Sequence, residues 1–457
     1  MVFSAVLERF IEQAPVCPMV RATMEQVFAP EKLNEIFAKT AVQQYTRELL
    51  FSSVVDLMSL VVCRMNKSMH AAYVRKKEEV GVTVQALYDK LNRLEPALSR
   101  AVVRHTASEV RALLQHMKGL RSPLLPGYRM KILDGNHLSG TEHRLAVLRK
   151  TNAGALPGLS LAVLDPQAMV VEDVFPCTDG HTQECTLLSA LLETVQARDV
   201  WIDDRNFCTS AFLFGLARRR AFFITRQHAG HLVWRRCGRQ RFVGRGPTGR
   251  VYEQAVVLTD PQTGKELQVR RITVKLNQPT RDKEIEIHIL TNLPVADASA
   301  LVVAELYRSR WDVETVFQEL TVHLRCEPNT LGYPPAALFA FCVAAACYNV
   351  LAAVKGAIRA VHGDEKLQNE VSNYFIADEA STPYHGMLIA VPPAEWQPFQ
   401  ALSIKGLAKV LKQWARRMDL KKYPKHKRGP KKPVCPRSPA PRKHVATARL
   451  LQKHSKT

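Results

Sequence analysis

Apolar positions along this chain change their period more than once. Residues 1 to about 125 repeat at helical spacing and carry few strand signals. Over 46–65, Leu49, Leu50, Val54, Leu57, Met58, Val61 and Val62 form one broad apolar face. Ser68 and Thr83 stand where each can cap a following helix, and Gly81 breaks the pattern between them. Helix, short turn, helix is a helix-turn-helix arrangement. Its second helix would expose Gln85, Lys90, Asn92 and Arg93, types that contact bases or phosphates. Such pairs also occur in any all-α domain, so both readings stand. A further amphipathic helix is expected over 100–118, and Ser-Pro-Leu-Leu-Pro-Gly over 122–127 reads as a linker.

From Tyr128 the pattern shortens. Strands are expected over 129–134, 159–164, 169–174, 199–203 and 221–225, with helices near 184–195 and 209–219. Three antiparallel-type strands, then helix, strand, helix, strand, fit a ribonuclease-H-like α/β core covered on both faces. Residues 228–294 break that alternation with short strands and turn signals, a β-rich insertion. It carries Arg235, Arg236, Arg239, Arg241, Arg245, Arg250, Arg270 and Arg271, which suit either DNA backbone contact or a solvated meander. Residues 297–321 then read as one uninterrupted helix capped by Asp297. The stretch 335–354 has membrane-spanning length, but it is Ala-rich and contains Asn349, so a buried core helix is expected. A last amphipathic helix is expected over 404–418.

The pattern divides the chain into six parts. They are a helical DNA-binding region (1–125), the first part of the α/β core (126–227), the β-rich insertion (228–294), the rest of the core (295–360), a C-terminal helical region (361–418) and a basic tail (419–457). The chain has 457 residues, enough for a sizeable core, and a formal net charge of +22. That charge points to a polyanionic partner or a membrane surface. From Lys405 onward there are 18 Lys and Arg against Asp419 alone, so this end supplies 17 of the +22. Six prolines lie between Pro424 and Pro441, and the tail is expected to be disordered and to attract polyanions without sequence preference. Ten scattered cysteines without a CxxC suggest reduced thiols in a cytoplasmic protein. The first fifteen residues carry Glu8 and Glu12 and no basic stretch, unlike a secretion signal.

Asp134 and Asp204 each end an expected strand, and Glu314 lies on the 297–321 helix. Tyr307, Arg310 and Glu314 fall at i, i+3 and i+7, on one helix face. Clustered carboxylates repel unless cations neutralise them, and Mg²⁺ suits an all-oxygen donor set. Taken singly, a strand-end Asp is an ordinary turn residue, and Arg310 with Glu314 an ordinary surface pair. His137, Glu142, His143, Arg144, His181 and Glu184 are further polar residues nearby, expected to be structural hydrogen-bonders.

The stretches LDGNHL, WIDDRNF and YRSRWDVE together resemble the DDE transposases of bacterial insertion sequences, in the insertion-sequence-four group. That resemblance spans about residues 128–350. It implies catalytic and metal-holding roles for Asp134, Asp204 and Glu314, phosphate positioning by Tyr307 and Arg310, and two Mg²⁺ ions, with Mn²⁺ as an alternative. It implies double-stranded DNA as partner, both terminal inverted repeats and target, a homodimer on DNA, no membrane, and a nucleoid-associated place in the cytoplasm. The family's signature Lys falls at Thr321, which cannot neutralise a phosphate; His323 and Arg325 lie just beyond. Thr321 keeps two competitors open: a catalytically decayed DNA-binding protein, and a nuclease of the same core without strand transfer.

Overall fold

A computed structural model describes residues 3–44, 48–138, 145–149, 153–228, 230, 232–280, 283–426 and 443–454. The helical start comprises α1 (Ala5–Gln13), α2 (Val16–Val27), α3 (Pro30–Thr40), α4 (Phe51–Val62), α5 (Met69–Arg75), α6 (Lys77–Val80), α7 (Val84–Asn92) and α8 (Pro96–Met117). Ser68 Oγ accepts from the Ala71 N–H and Thr83 Oγ1 from the Ala86 N–H, each at 3.2 Å, so both expected caps are made. Gly81 ends α6 at φ +69°, a left-handed position that glycine takes without strain. The expected readers on α7 differ in their freedom. Gln85 and Arg93 are exposed, whereas Lys90 donates to the Leu49 carbonyl at 2.7 Å and lies over the Phe37 ring.

The strands are β1 (Arg129–Leu138), β2 (Gly154–Leu156), β3 (Gly158–Asp165), β4 (Val170–Cys177), β5 (Asp199–Asp203), β6 (Phe222–Arg226), β7 (Val233–Arg236), β8 (Arg241–Gly246), β9 (Gly249–Thr259), β10 (Glu266–Leu276), β11 (Glu286–Thr291) and β12 (His444–Ala446). One sheet runs β4-β3-β1-β5-β6-β11-β10-β9-β7, with β8 also on β9. β1 is antiparallel to β3 and parallel to β5, β3 is antiparallel to β4, and β6 is parallel to β5. β11 pairs antiparallel with β6. The arginine-rich strands therefore extend the central sheet.

Strand alternation sorts the two faces. Leu133, Leu161, Val163, Trp201 and Phe223 pack with Phe212, Leu213 and Leu216 of α11 (Ser210–Arg218) and with Leu188 and Leu191 of the short α10 (Leu188–Leu192), which follows α9 (Ala146–Arg149). Ile132, Ala162, Leu164, Val200, Ile202 and Ile224 face the other way, into a core shared with α8 and the later helices. Chief among these are α12 (Ala300–Arg308), α13 (Trp311–Val322) and α14 (Pro334–His362). The most apolar window of α14 is long enough for a membrane but entirely buried in the protein, as expected for a core helix. Then come α15 (Asp364–Asn369), α16 (Asn373–Glu379), α17 (Thr382–Ala390), α18 (Gln397–Gln400) and α19 (Ile404–Arg416), whose Trp414 joins the same core as Leu7 and Phe51.

Two expectations need correction. Residues 297–321 form two helices, with Ser299 as N-cap; the Asp297 carboxylate instead accepts from the Tyr128 hydroxyl at 2.7 Å. At the junction, Ser309, Arg310, Asp312 and Val313 make i→i−3 hydrogen bonds, a 3₁₀ turn that tightens the helix locally. The tail is also partly ordered. Val371 bridges Pro424, and beyond the undescribed 427–442, β12 pairs in parallel with β2 and continues into α20 (Thr447–His454). Arg449 donates to Asp179 at 2.8 Å, so charge as well as backbone pairing holds this returning segment.

Asn349 shows how α14 secures the sheet. It is fully buried, accepts from the Val171 N–H at 2.8 Å, and donates to the Val171 carbonyl at 2.9 Å and to Thr106 Oγ1 at 3.3 Å. β4 is the edge strand, so Asn349 satisfies backbone groups that no strand would reach. Asn349→Ala should lower stability by about 2–4 kcal/mol, because two buried backbone groups lose their partners. Urea unfolding checks this; a loss below about 0.5 kcal/mol would mean that water or a neighbour replaces the amide.

Candidate active site

β1 and β5 pair in parallel with Arg129 opposite Asp199 and Ile132 opposite Ile202. Beyond that register, Asp134 continues along β1 and Asp204 directly follows β5, toward the same end of two neighbouring strands. α13 lies against β1 and carries Glu314, while the 3₁₀ turn before it carries Arg310.

Arg310 is the hub. Its Nη1 lies 3.4 Å from Asp134 Oδ2 and its Nη2 2.7 Å from Glu314 Oε1, so one guanidinium bridges two of the three expected acids. Its Nε is buried without a hydrogen-bond partner. The guanidinium also stacks over Trp311, whose ring is 60% exposed. Tyr307 is buried, and burial with nearby Asp204 pushes its phenol pKa up. Beside it Arg226 pairs with Glu284, which Arg205 also approaches at 3.5 Å.

Burial dominates the electrostatics of the acids. It pushes the Asp134 carboxyl up to about 6, against the opposing pull of Arg310 and of the Gly135 N–H that donates to Oδ1 at 2.9 Å; Glu314 and Glu184 raise it further. Asp203, the last residue of β5, is fully buried and faces the Thr225 hydroxyl. Burial holds it well above the ordinary carboxylate range. Asp204 Oδ1 is buried without a hydrogen-bond partner among the described residues.

Sequence reasoning set Glu184 aside, yet it belongs to this cluster. A Cβ on Gly135 would come within 1.9 Å of Glu184 Oε1, so the carboxylate lies directly on the backbone next to Asp134. His137 Nδ1 is 3.9 Å away, and the Asn206 side chain faces it. His181 lies further out on the same cavity wall. Glu142, His143 and Arg144 lie outside the described residues. Near Thr321 the cations are differently employed. Arg325 donates to the Asn66 and Lys67 carbonyls and His323 stacks on Tyr374, whereas Arg64 donates to the Thr321 carbonyl at 3.2 Å.

Among the described residues, no three His, Cys, Asp or Glu side chains are arranged to hold a metal ion. The donor chemistry nevertheless fits a hard divalent cation. The donors are carboxylate oxygens, and Asp204 presents a buried oxygen with no partner.

Residues 125–350 match the family described as "Transposase DDE domain". Among curated proteins, "Putative transposase y4zB" of Sinorhizobium fredii is 26% identical over 176 residues, 38% of this chain and 46% of that protein. The matched stretch thus spans about half of that relative. Among solved structures, a cryo-EM structure of the piggyBac transposase synaptic complex with hairpin DNA aligns over 85% of this chain and 84% of that one. Its identity is 13% and its TM-score 0.35, too low to carry an argument. Over residues 125–350 this chain is therefore similar to transposase DDE domains.

The raised Asp134 pKa has a measurable consequence. Between about pH 4 and 6 the folded protein keeps a proton on Asp134 that the unfolded chain has released. Its contribution is therefore complete below the ordinary carboxylate range and is lost as pH rises through about 6. In chelator, Asp134→Asn should flatten this slope and stabilise the protein at pH 7 by at most about 3 kcal/mol. Unfolding curves from pH 4 to 7 check it; parallel curves for the two proteins would place the titration elsewhere.

Proposed function

We propose that this chain is a DNA transposase of the insertion-sequence-four group, which cuts DNA at terminal inverted repeats and joins the freed ends to target DNA. The observation that supports this reading is the Arg310 guanidinium, which pairs with both Asp134 on β1 and Glu314 on α13, while Asp204 follows the neighbouring parallel strand β5. The strand order β4-β3-β1-β5-β6, with its mixture of antiparallel and parallel neighbours, supports a ribonuclease-H-like core.

In this proposal Asp134, Asp204 and Glu314 hold two divalent cations, Mg²⁺ or Mn²⁺. When bound, such ions activate the attacking hydroxyl and stabilise the leaving oxygen. Arg310 has donors beyond the two that it spends on carboxylates, and with Tyr307 it positions the scissile phosphate. Cleavage forms a bond from water oxygen to phosphorus, breaks the P–O3′ bond and leaves a 3′-hydroxyl. Joining repeats the exchange with that hydroxyl as nucleophile. Arg64, touching Thr321, supplies positive charge where the family signature has Lys. The helices of 1–125 read the repeats, the arginines of β7 to β10 contact backbone, and two copies act together on paired ends in the bacterial cytoplasm.

A second reading, a DNA-binding protein that no longer cuts, is favoured by Thr321, whose hydroxyl is turned back onto the Phe317 carbonyl at 2.9 Å. Cleavage of a labelled terminal-repeat duplex with Mg²⁺ separates the two. Glu314→Gln should lower cleavage by roughly 10²–10³-fold, the equivalent of several kcal/mol, with DNA affinity near wild type. Arg310→Ala should weaken both rate and complex. Thr321→Lys should change cleavage little if Arg64 already supplies the charge, and Arg64→Ala should then reduce it. A wild-type protein that binds the repeats but leaves them intact would establish the second reading.

A further inference from the structure

Asp134 and Glu314 share the cation of Arg310, whereas among the described residues Glu184 pairs with no Arg or Lys. Its neighbours are the neutral Asn206 side chain and His137, whose Nδ1 is 3.9 Å away. Its side chain is 16% exposed, and it opens onto a cavity of about 710 Å³ lined also by His137, His181, Cys185, Asn206 and His444. Glu184 thereby links the backbone beside Asp134 with solvent in that cavity.

The local chain explains this placement. Glu184 begins a 3₁₀ turn after the loop that follows β4, and the turn leads into α10, which packs under the sheet. Gly135 follows Asp134 on β1, and only a residue without a Cβ leaves room for the Glu184 carboxylate there. The Glu184 carboxylate thus lies against the Gly135 backbone on one side and on the cavity wall on the other. His444 reaches the same wall from β12 and packs on Gly154, so the returning C-terminal segment borders this entrance.

Building on the transposase reading, we infer that Glu184 contacts the attacking hydroxyl, accepting its hydrogen bond and aiming its oxygen at phosphorus. The hydroxyl is water in the cleavage step and a DNA 3′-OH in the joining step. The new bond is oxygen to phosphorus, the broken bond is P–O3′, the hydroxyl proton leaves to solvent through the cavity, and the departing 3′ oxygen takes a proton from water. Asp134, Asp204 and Glu314 keep their assigned roles, and Asn206 holds the Glu184 carboxylate in place.

The test uses the full chain with Glu184→Gln, which preserves shape, and Glu184→Asp, which keeps the charge but withdraws it by one methylene. Single-turnover cleavage is measured at saturating terminal-repeat DNA with Mn²⁺. Mn²⁺ affinity without DNA is measured by electron paramagnetic resonance, and DNA affinity and melting temperature are measured alongside. Glu184→Gln should lose about 10²-fold or more in rate, the scale on which orientation of a nucleophile acts. Glu184→Asp should fall between Gln and wild type, and Mn²⁺ affinity, DNA affinity and melting temperature should stay close to wild type for both. Cleavage by Glu184→Gln within threefold of wild type would overturn the inference and leave the transposase reading intact. A drop in Mn²⁺ affinity matching that of Asp204→Asn would overturn it too, making Glu184 a metal ligand. A wild-type chain that never cleaves repeats would instead overturn the transposase reading, and the role of Glu184 with it.

Discussion

Carboxylates gathered in a poorly solvated place are unfavourable unless positive charge lies near. In this protein the charge is the Arg310 guanidinium, within 3.4 Å of Asp134 and 2.7 Å of Glu314. Much of the architecture serves to bring it there. The 3₁₀ turn at Ser309 and Arg310 re-aims the chain between α12 and α13. α14 runs through the shared core, ties the edge strand β4 through Asn349 and contacts α13. The buried Asp204 Oδ1, without a hydrogen-bond partner among the described residues, shows that the guanidinium does not satisfy the whole cluster. Such an incompletely neutralised pocket is costly for a merely structural ion pair but suits a cation that arrives with its substrate.

Much of this was legible from short-range signals. Ser68 and Thr83 cap helices that the apolar period already outlined, because a hydroxyl before a periodic run has one dominant local use. The strands carrying Asp134 and Asp204 were legible from their length and β-branched or aromatic content. What depended on distant partners was not. Asp297 looks like a cap, but its carboxylate goes to Tyr128, far away in sequence. The kink at Ser309–Arg310 leaves no mark in a helical period, because neither residue is Gly or Pro. Glu184 looked like an ordinary polar residue, since its meaning comes from Gly135 on another strand. The proline-rich tail masked β12, whose three residues acquire a strand conformation only by pairing with β2.

The two ends of the chain also meet. The helices of 1–125 and those after residue 361 share one core, in which Leu7, Phe51, Trp396, Phe399 and Trp414 are buried together. Arg417 donates to both Glu8 and Glu12, 3.0 Å each. The strongly basic C-terminal part thus starts from a folded base and returns to the mouth of the site through β12 and α20.

The central claim is that Asp134 and Asp204 form a site for a divalent cation that Arg310 only partly replaces. Melting temperatures with and without millimolar Mn²⁺, in the absence of DNA, test it most directly. A cation at about 100 times its dissociation constant adds about 2.7 kcal/mol to the folded state. The wild-type chain should melt several degrees higher with Mn²⁺, and Asp134→Asn and Asp204→Asn should each lose most of that rise while remaining folded. No rise in the wild type, or an equal rise in all three proteins, would contradict the account.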